Sequence, residues 1–256
     1  MTVFVFDIET IPDTETGRKL YGLEGLTDED VAKAMYQLRR QNTGHDFLPL
    51  HLHKVVAISI AMRSRDTFRS WSLGDAHSNE AELVTRFFEG LDKYTHVLVS
   101  WNGSGFDLPV LHYRSMLHSV PAARYWEAGD GEREFRYNNY LSRYHWRHID
   151  LMDVLAGFNP RANAPLDQVA IQCGFPGKLG MAGSKVWDTW LAGDIDSIRN
   201  YCETDVLNTY LLYLRFEHIR GKNDNSMDAK EQELVAEFLE NSDKPHLREF
   251  LDAWRD

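Results

Sequence analysis

Val3-Phe4-Val5-Phe6-Asp7-Ile8-Glu9 is an apolar run that closes on two carboxylates. Four consecutive β-branched or aromatic residues predict a buried strand. On a strand, residues i and i+2 point to the same side of the sheet, so Asp7 and Glu9 project together. An acidic pair leaving the end of a strand is a cradle for a hard divalent cation such as Mg²⁺. Asp13/Glu15 and Asp130/Glu132 repeat the spacing in polar surroundings. The strand context is what separates Asp7 and Glu9 from these two pairs.

Beyond the first strand, a polar stretch with Pro12 and Gly17 leads to a predicted helix over 27–40, with Thr27 or Asp28 placed to cap it. Strands are predicted over 55–62 and 67–73. Asn79 is placed to cap an amphipathic helix running to 94, with Leu83, Phe87, Phe88 and Leu91 on its apolar face. A short buried strand over 96–101 ends in the turn Asn102-Gly103-Ser104-Gly105, and Asp107 opens a helix to 116. The pattern dissolves from 121 to 148. A helix start at 150–155, a short helix over 166–173, a Gly-rich loop over 174–183 and a long helix over 194–216 follow. The charged region 228–256 reads as two amphipathic helices. Strands early and helices late predict an α/β fold, a mixed sheet with helices on its faces.

At 256 residues with 43% hydrophobic content the chain can bury a proper core. No apolar stretch approaches the length of a membrane span, and the start lacks the basic and small-residue features of a secretory signal. Cys173 and Cys202 are isolated thiols without a C-x-x-C pair, which points to a reducing compartment, no zinc site and a cytoplasmic location. The net charge of −11 argues against non-specific wrapping of nucleic acid. It is compatible with local handling of a nucleic-acid end, because bound cations reverse the sign of a carboxylate cluster.

Two further clusters carry acidic groups. In Trp101-Asn102-Gly103-Ser104-Gly105-Phe106-Asp107 a buried strand delivers the chain to a turn, with Asp107 where a helix begins. Helix capping alone would account for Asp107. In Tyr201-Cys202-Glu203-Thr204-Asp205 the tyrosine and the last aspartate stand at i, i+4 on one helix face. Ile198, Val206, Leu207 and Leu211 flank them, so much of this helix is packed inside. An aspartate near a buried face needs a partner, and a metal is one of few adequate ones.

Taken together, Asp7-x-Glu9, Asn102-x-x-x-Phe106-Asp107 and Tyr201-x-x-x-Asp205 resemble the three exonuclease motifs of the DEDD superfamily, in its tyrosine-bearing DEDDy branch. The stretch from Gly177 to Trp187 and its continuation from Ile198 to Val206 resemble stand-alone predicted polymerase-B-like 3′–5′ exonucleases. The resemblance covers about residues 2–221 and implies a ribonuclease-H-like domain over 1–221, with 222–256 as a helical extension packed on it. It implies two-metal hydrolysis at a 3′ end, with Asp7, Glu9, Asp107 and Asp205 holding two Mg²⁺ or Mn²⁺ ions and Tyr201 orienting the water. Thr10, Ile11, Asn102 and Phe106 match positions that contact terminal nucleotides. The stretch 16–41 and the charged C-terminal region have no counterpart in the polymerase domains.

The expected activity is release of nucleoside 5′-monophosphates from the 3′ ends of single-stranded DNA, or of RNA. The rivals are a ribonuclease that trims RNA 3′ ends with the same site, and a non-catalytic nucleic-acid-binding protein on the same fold. Segment 135–148 interleaves aromatics with arginines, which fits either a strand-holding platform or a surface hairpin packed on the core. His51 and His53 lack a third nearby ligand and read as structural. The Gly-rich loop lacks the order of a P-loop. Asp150 and Asp153 read as capping and first-turn charges.

Overall fold

The computed structural model describes residues 2–94 and 97–255. Its centre is a five-stranded mixed sheet: β1 (Val3–Pro12), β2 (His53–Ser64), β3 (Thr67–Ser72), β4 (Val97–Ser100) and β5 (His148–Asp150), in the order β3-β2-β1-β4-β5. β2 runs antiparallel to β1 and β3, whereas β4 lies parallel to β1 and β5 parallel to β4. The helices are α1 (Thr14–Tyr21), α2 (Asp28–Thr43), α3 (Glu80–Tyr94), α4 (Asp107–His118), α5 (Ala123–Trp126), α6 (Leu151–Leu155), α7 (Leu166–Gln172), α8 (Val186–Leu191), α9 (Ile195–Ile219), α10 (Asn225–Glu240) and α11 (Pro245–Arg255). The mixed sheet flanked by helices is the architecture that the sequence predicts.

Alternation along β1 divides the core. Phe4, Phe6 and Ile8 pack with Phe87 and Phe88 of α3 and Leu108 and Leu111 of α4. Val3 and Val5 face the other way, toward Val206, Leu207 and Leu211 of α9. Asp7 and Glu9 continue the Val3–Val5 face, so the pleat directs them to the side of the sheet covered by α9. On β2, the residues paired with Val5, Asp7 and Glu9 are Ala61, Ser59 and Ala57. These small side chains let α9 approach closely and leave room beside the carboxylates.

α9 is buried on nearly all sides from Tyr201 to Leu214, as a helix at the centre of a sandwich must be. α10 and α11 close its outer face through Val235, Leu239, Leu247, Phe250 and Leu251. Two polar ties fasten them. Glu231 of α10 takes two bonds from Arg63, at 2.5 and 2.7 Å, and Glu203 of α9 accepts from Lys244 at 2.8 Å and pairs with His246 at 2.9 Å.

Several elements differ from the sequence reading. α1 was hidden by Pro12 and Gly17, yet Asp13 caps it by accepting from the Thr16 N–H at 3.0 Å. Asp13 also pairs with buried Arg114 at 2.6 Å, and Arg114 reaches Glu80 at 2.5 Å, so the carboxylate that seemed to lie in polar surroundings is in the core. The three-residue strand β5 is too short to show a period, and α8 follows the Gly-rich loop unannounced. Segment 135–148 forms a 3₁₀ turn and bends, with only its end entering β5, so it is not a hairpin. Of the predicted strand 96–101, His96 lies outside the described residues.

Phe250 is fully buried beneath α9. Phe250→Ala should lower the unfolding free energy by about 3–5 kcal/mol, read as a shifted urea midpoint at unchanged slope.

Candidate active site

Three segments distant in sequence meet past the carboxyl end of β4, along the part of β1 that continues beyond their parallel pairing, where the chain's connections diverge to opposite sides of β1. Such a switch point is the usual place for a crevice in an open α/β sheet. β1 supplies Asp7 and Glu9, and a register shift falls between Glu9 and Thr10. Bulges of this kind end regular pairing and re-aim side chains. α4 supplies Asp107 from its first turn, and α9 supplies Tyr201 and Asp205.

Asp107, 3% exposed, is tied to β1 by accepting the Ile8 N–H at 3.2 Å. Glu9 and Asp205 are 7% and 6% exposed, while Asp7 keeps an open edge. Burial raises the pKa of Asp7 well above the carboxylate range, and the charges of Asp107, Glu9 and Asp205 add to it. Glu9 is raised by burial and then by Asp205 and Asp107, with Lys178 acting the other way. Burial carries Asp107 to about 7 and Asp205 to about 6, the latter partly restrained by Lys178 and the Tyr201 hydroxyl. All four carboxylates therefore share one low-dielectric, acidic pocket.

Asp205 Oδ1 is buried and has no hydrogen-bond partner among the described residues. An orphaned carboxylate oxygen beside three more carboxylates fits a hard cation, which satisfies such oxygens and offsets their repulsion. The Tyr201 phenol is pushed far above its ordinary pKa, first by burial and then by Asp205, Glu9 and Asp7, so it stays a hydroxyl. Its ring stands 5.4 Å from Lys178 Nζ.

The Asn102 turn is built by residues whose role in the sequence looked different. Asn102 takes a positive φ of 65°. The Asp150 carboxylate clamps the turn by accepting the Asn102 and Ser104 N–H groups at 2.9 and 2.8 Å, besides capping α6. A Cβ at Gly103 would lie 2.2 Å from Ser100 Oγ, and one at Gly105 would lie 2.4 Å from Asn102 Oδ1. Gly103 cannot be replaced without moving the turn, because Ser100 Cβ would also lie 2.6 Å away, whereas a side chain at Gly105 would displace the Asn102 amide.

Around the carboxylates, Phe106 meets His53 edge-on with ring centres 5.1 Å apart and Phe47 at 5.8 Å. Thr10 Oγ1 bonds His53 Nδ1 at 2.9 Å, and His53 Nε2 meets the Leu48 carbonyl at 3.3 Å. His53 is thus held on both nitrogens, in a packing role. Ile11 is buried with Val56, Ala57 and Val186 and shows little surface. Phe135 and Tyr140 are buried, and Arg147 stacks on Phe135 at 4.1 Å, whereas Tyr137 and Tyr144 are exposed. Behind the Asn102 turn, a cavity of about 510 Å³ is lined by Ser104, Gly105, Tyr140, Arg143 and Asp150 among others.

Sequence reasoning overlooked Asp150 as a clamp, and it also overlooked Lys178 and Cys202. The Cys202 thiol lies 3.4 Å from the Asp7 carbonyl and 3.6 Å from Asp7 Oδ2. Lys178 carried a signal in its Gly-rich surroundings, but nothing in its spacing tied it to the acidic motifs.

A family model described as a predicted 3′–5′ exonuclease related to the exonuclease domain of PolB matches residues 45–254. That range takes in Asp107, Tyr201 and Asp205 but begins after β1, so Asp7 and Glu9 stand on their geometry. No curated protein matches the chain. Among solved structures, the chain is similar to the family B DNA polymerase from the hyperthermophilic archaeon Pyrobaculum calidifontis, at 19% identity and a TM-score of 0.48 over 82% of this chain. It spans 24% of that polymerase chain.

Because these folded-state pKa values are raised, the folded protein holds protons that the unfolded chain releases near about pH 4. In chelator, the contribution of the cluster is therefore greatest in acid and is lost as pH rises through the folded values of about 6 for Asp205 and about 7 for Asp107. Asp205→Asn should melt above wild type in chelator at pH 8, and the gap should narrow at pH 5 and close below about pH 4, where the carboxyl is protonated in both states. Saturating Mn²⁺ should raise the wild-type Tm at pH 8, with about 2.7 kcal/mol of stabilisation expected at a hundredfold excess over Kd.

Proposed function

The chain belongs to the family of predicted 3′–5′ exonucleases related to the exonuclease domain of PolB, and on that premise we propose that it hydrolyses single-stranded DNA from the 3′ end in a metal-dependent reaction that releases nucleoside 5′-monophosphates. The observation that carries this reading is the gathering of Asp7, Glu9, Asp107 and Asp205 into one pocket, with an unpartnered buried oxygen on Asp205.

The donor set is all oxygen apart from one thiol, which suits Mg²⁺ or Mn²⁺ over softer ions in ordinary service. Bound there, a pair of such ions would generate the nucleophile and offset charge on the phosphate and the leaving 3′ oxygen. The remaining roles belong to the chain. Asp7, which keeps an open edge, would be one of the residues that hold the ions. Asp107 is fixed by the Ile8 N–H and so holds its oxygen against the middle of β1, at the residue between Asp7 and Glu9 in sequence.

Tyr201 remains protonated at neutral pH, so it orients the attacking water through its hydroxyl rather than accepting its proton. Lys178, the cation that acts on both Glu9 and Asp205, stands where it can meet a scissile phosphate. The Phe106 ring, braced by Phe47 and His53, offers a face for the terminal base, with Asn102 and Thr10 beside it. Exposed Tyr137 and Tyr144 give the strand a route past the cavity behind the Asn102 turn.

Matched 3′-labelled DNA and RNA oligonucleotides test the reading directly. Mononucleotide release from DNA with Mn²⁺ or Mg²⁺, loss of release in chelator and protection by a 3′-terminal block are expected. Cleavage of circular single strands would overturn it. Tyr201→Phe should lower kcat by up to about 10²–10⁴-fold at saturating metal and leave strand affinity within a few-fold of wild type. Asp7→Ala should be more severe and should weaken Mn²⁺ binding. Equal kcat for Tyr201→Phe and wild type would remove the tyrosine from the reaction.

A further inference from the structure

Cys202 stands between the two acidic residues of β1 and the tyrosine of α9, yet the hydrolytic reading gives it no task. Ligand atoms of Asp7, Glu9 and Cys202 all lie within 4.8 Å of one another. The thiol is fully buried, donates to the Asp7 carbonyl at 3.4 Å and has Ser59 of β2 beside it on the same face of the sheet. Zn–S and Zn–O bonds of about 2.3 and 2.1 Å put two donors on one ion at most about 4.4 Å apart. Closing the three donors on a single ion therefore needs shifts of no more than about 1 Å. An independent feature marks the same pocket: Asp205 Oδ1 is buried without a hydrogen-bond partner, and its carboxylate acts on both Asp7 and Glu9.

We propose that Asp7, Glu9 and Cys202 form a mixed oxygen–sulfur site that takes a thiophilic dication, of the Zn²⁺ or Cd²⁺ class, in competition with the hard ion of the hydrolytic reaction. On binding, the S–H bond of Cys202 breaks, its proton leaves to solvent and a metal–sulfur bond forms. No electrons are transferred. Thiolate donors select soft and borderline ions, whereas carboxylates alone do not. Because both kinds of ion would draw on Asp7 and Glu9, an ion held to sulfur would displace the hard ion instead of serving beside it. The inference rests on reading this cluster as the metal site.

Cd²⁺ titration of the full-length protein tests it through the ultraviolet sulfur-to-cadmium charge-transfer band. The band should appear in wild type and in Cys173→Ser, and it should be absent from Cys202→Ser. Excess Mn²⁺ should erase it. In a second measurement that needs no variant, protein-bound Mn²⁺ should be released by Cd²⁺ and read as the free-ion electron paramagnetic resonance signal. Cys202→Ser should require at least about 10-fold more Cd²⁺ for the same release.

No band in wild type at saturating Cd²⁺ would overturn the proposal. So would a band that survives Cys202→Ser and vanishes with Cys173→Ser. Mn²⁺-supported hydrolysis without the band sinks the sulfur site alone. The band without hydrolysis under any hard ion supports the sulfur site and sinks the exonuclease reading.

Discussion

Asp7, Glu9, Asp107 and Asp205 repel one another, and folding brings them together with exposed Lys178 as the opposing charge on Glu9 and Asp205. Two like charges about 5 Å apart at an effective dielectric near 20 repel by roughly 3 kcal/mol. Several such pairs are comparable with the whole stability of an ordinary domain. The fold answers in two ways. Part of the cluster stays protonated near neutral pH, as the raised values of Asp107 and Asp205 indicate. The rest is offset by packing, above all by α9, whose middle is buried almost completely.

This constraint explains why the polar ties sit where they do. Glu203 lies between Tyr201 and Asp205 in sequence but serves the opposite need. Burial alone would raise its carboxyl, but His246, Lys244 and Ser72 overcome that and pull it down to about 2. It is a paired anion that pins α9 to β3 and to the start of α11. Asp150 does the same for the Asn102 turn, and Arg114 with Asp13 and Glu80 for the junction of β1 with α4. Carboxylates paired with cations or backbone N–H groups thus frame a cluster whose members chiefly face one another, with Asp205 Oδ1 left unpartnered among the described residues. The contrast between the two kinds marks the site.

The same contrast sets the limit of what the sequence discloses. Asp7 and Glu9 were legible because a strand's period is rigid, and Tyr201 and Asp205 because a helix's period is. Both pairs could be assigned a shared face without knowing the fold. Asp107 was legible from the turn before it. Asp13, Asp150 and Glu203 were not, because a carboxylate that accepts N–H groups or pairs with a cation looks the same in sequence as one at the surface. Their partners lie far along the chain: Arg114 for Asp13, Asn102 for Asp150 and Lys244 for Glu203. β5 escaped because three residues cannot display a period. For 135–148 the sequence left a strand-holding platform and a hairpin packed on the core as alternatives; Phe135 and Tyr140 pack inward, Tyr137 and Tyr144 face solvent, and no hairpin forms.

The charge balance also orders events at the site. A chain of net charge −11 with a carboxylate pocket repels a polyanion at long range, and at about 0.15 M salt that repulsion fades beyond roughly 8 Å. A strand therefore gains nothing from general attraction and must be drawn in by local groups. On the proposed reading, cations held among the four carboxylates would change the local sign, and Lys178 would add to them from a loop whose glycines Gly177 and Gly180 take positive φ. Phe106 and the exposed tyrosines can then contribute stacking, which is indifferent to charge. For the proposed activity, this electrostatic arrangement would favour metal before strand. It follows from the same repulsion that α9 is buried to withstand.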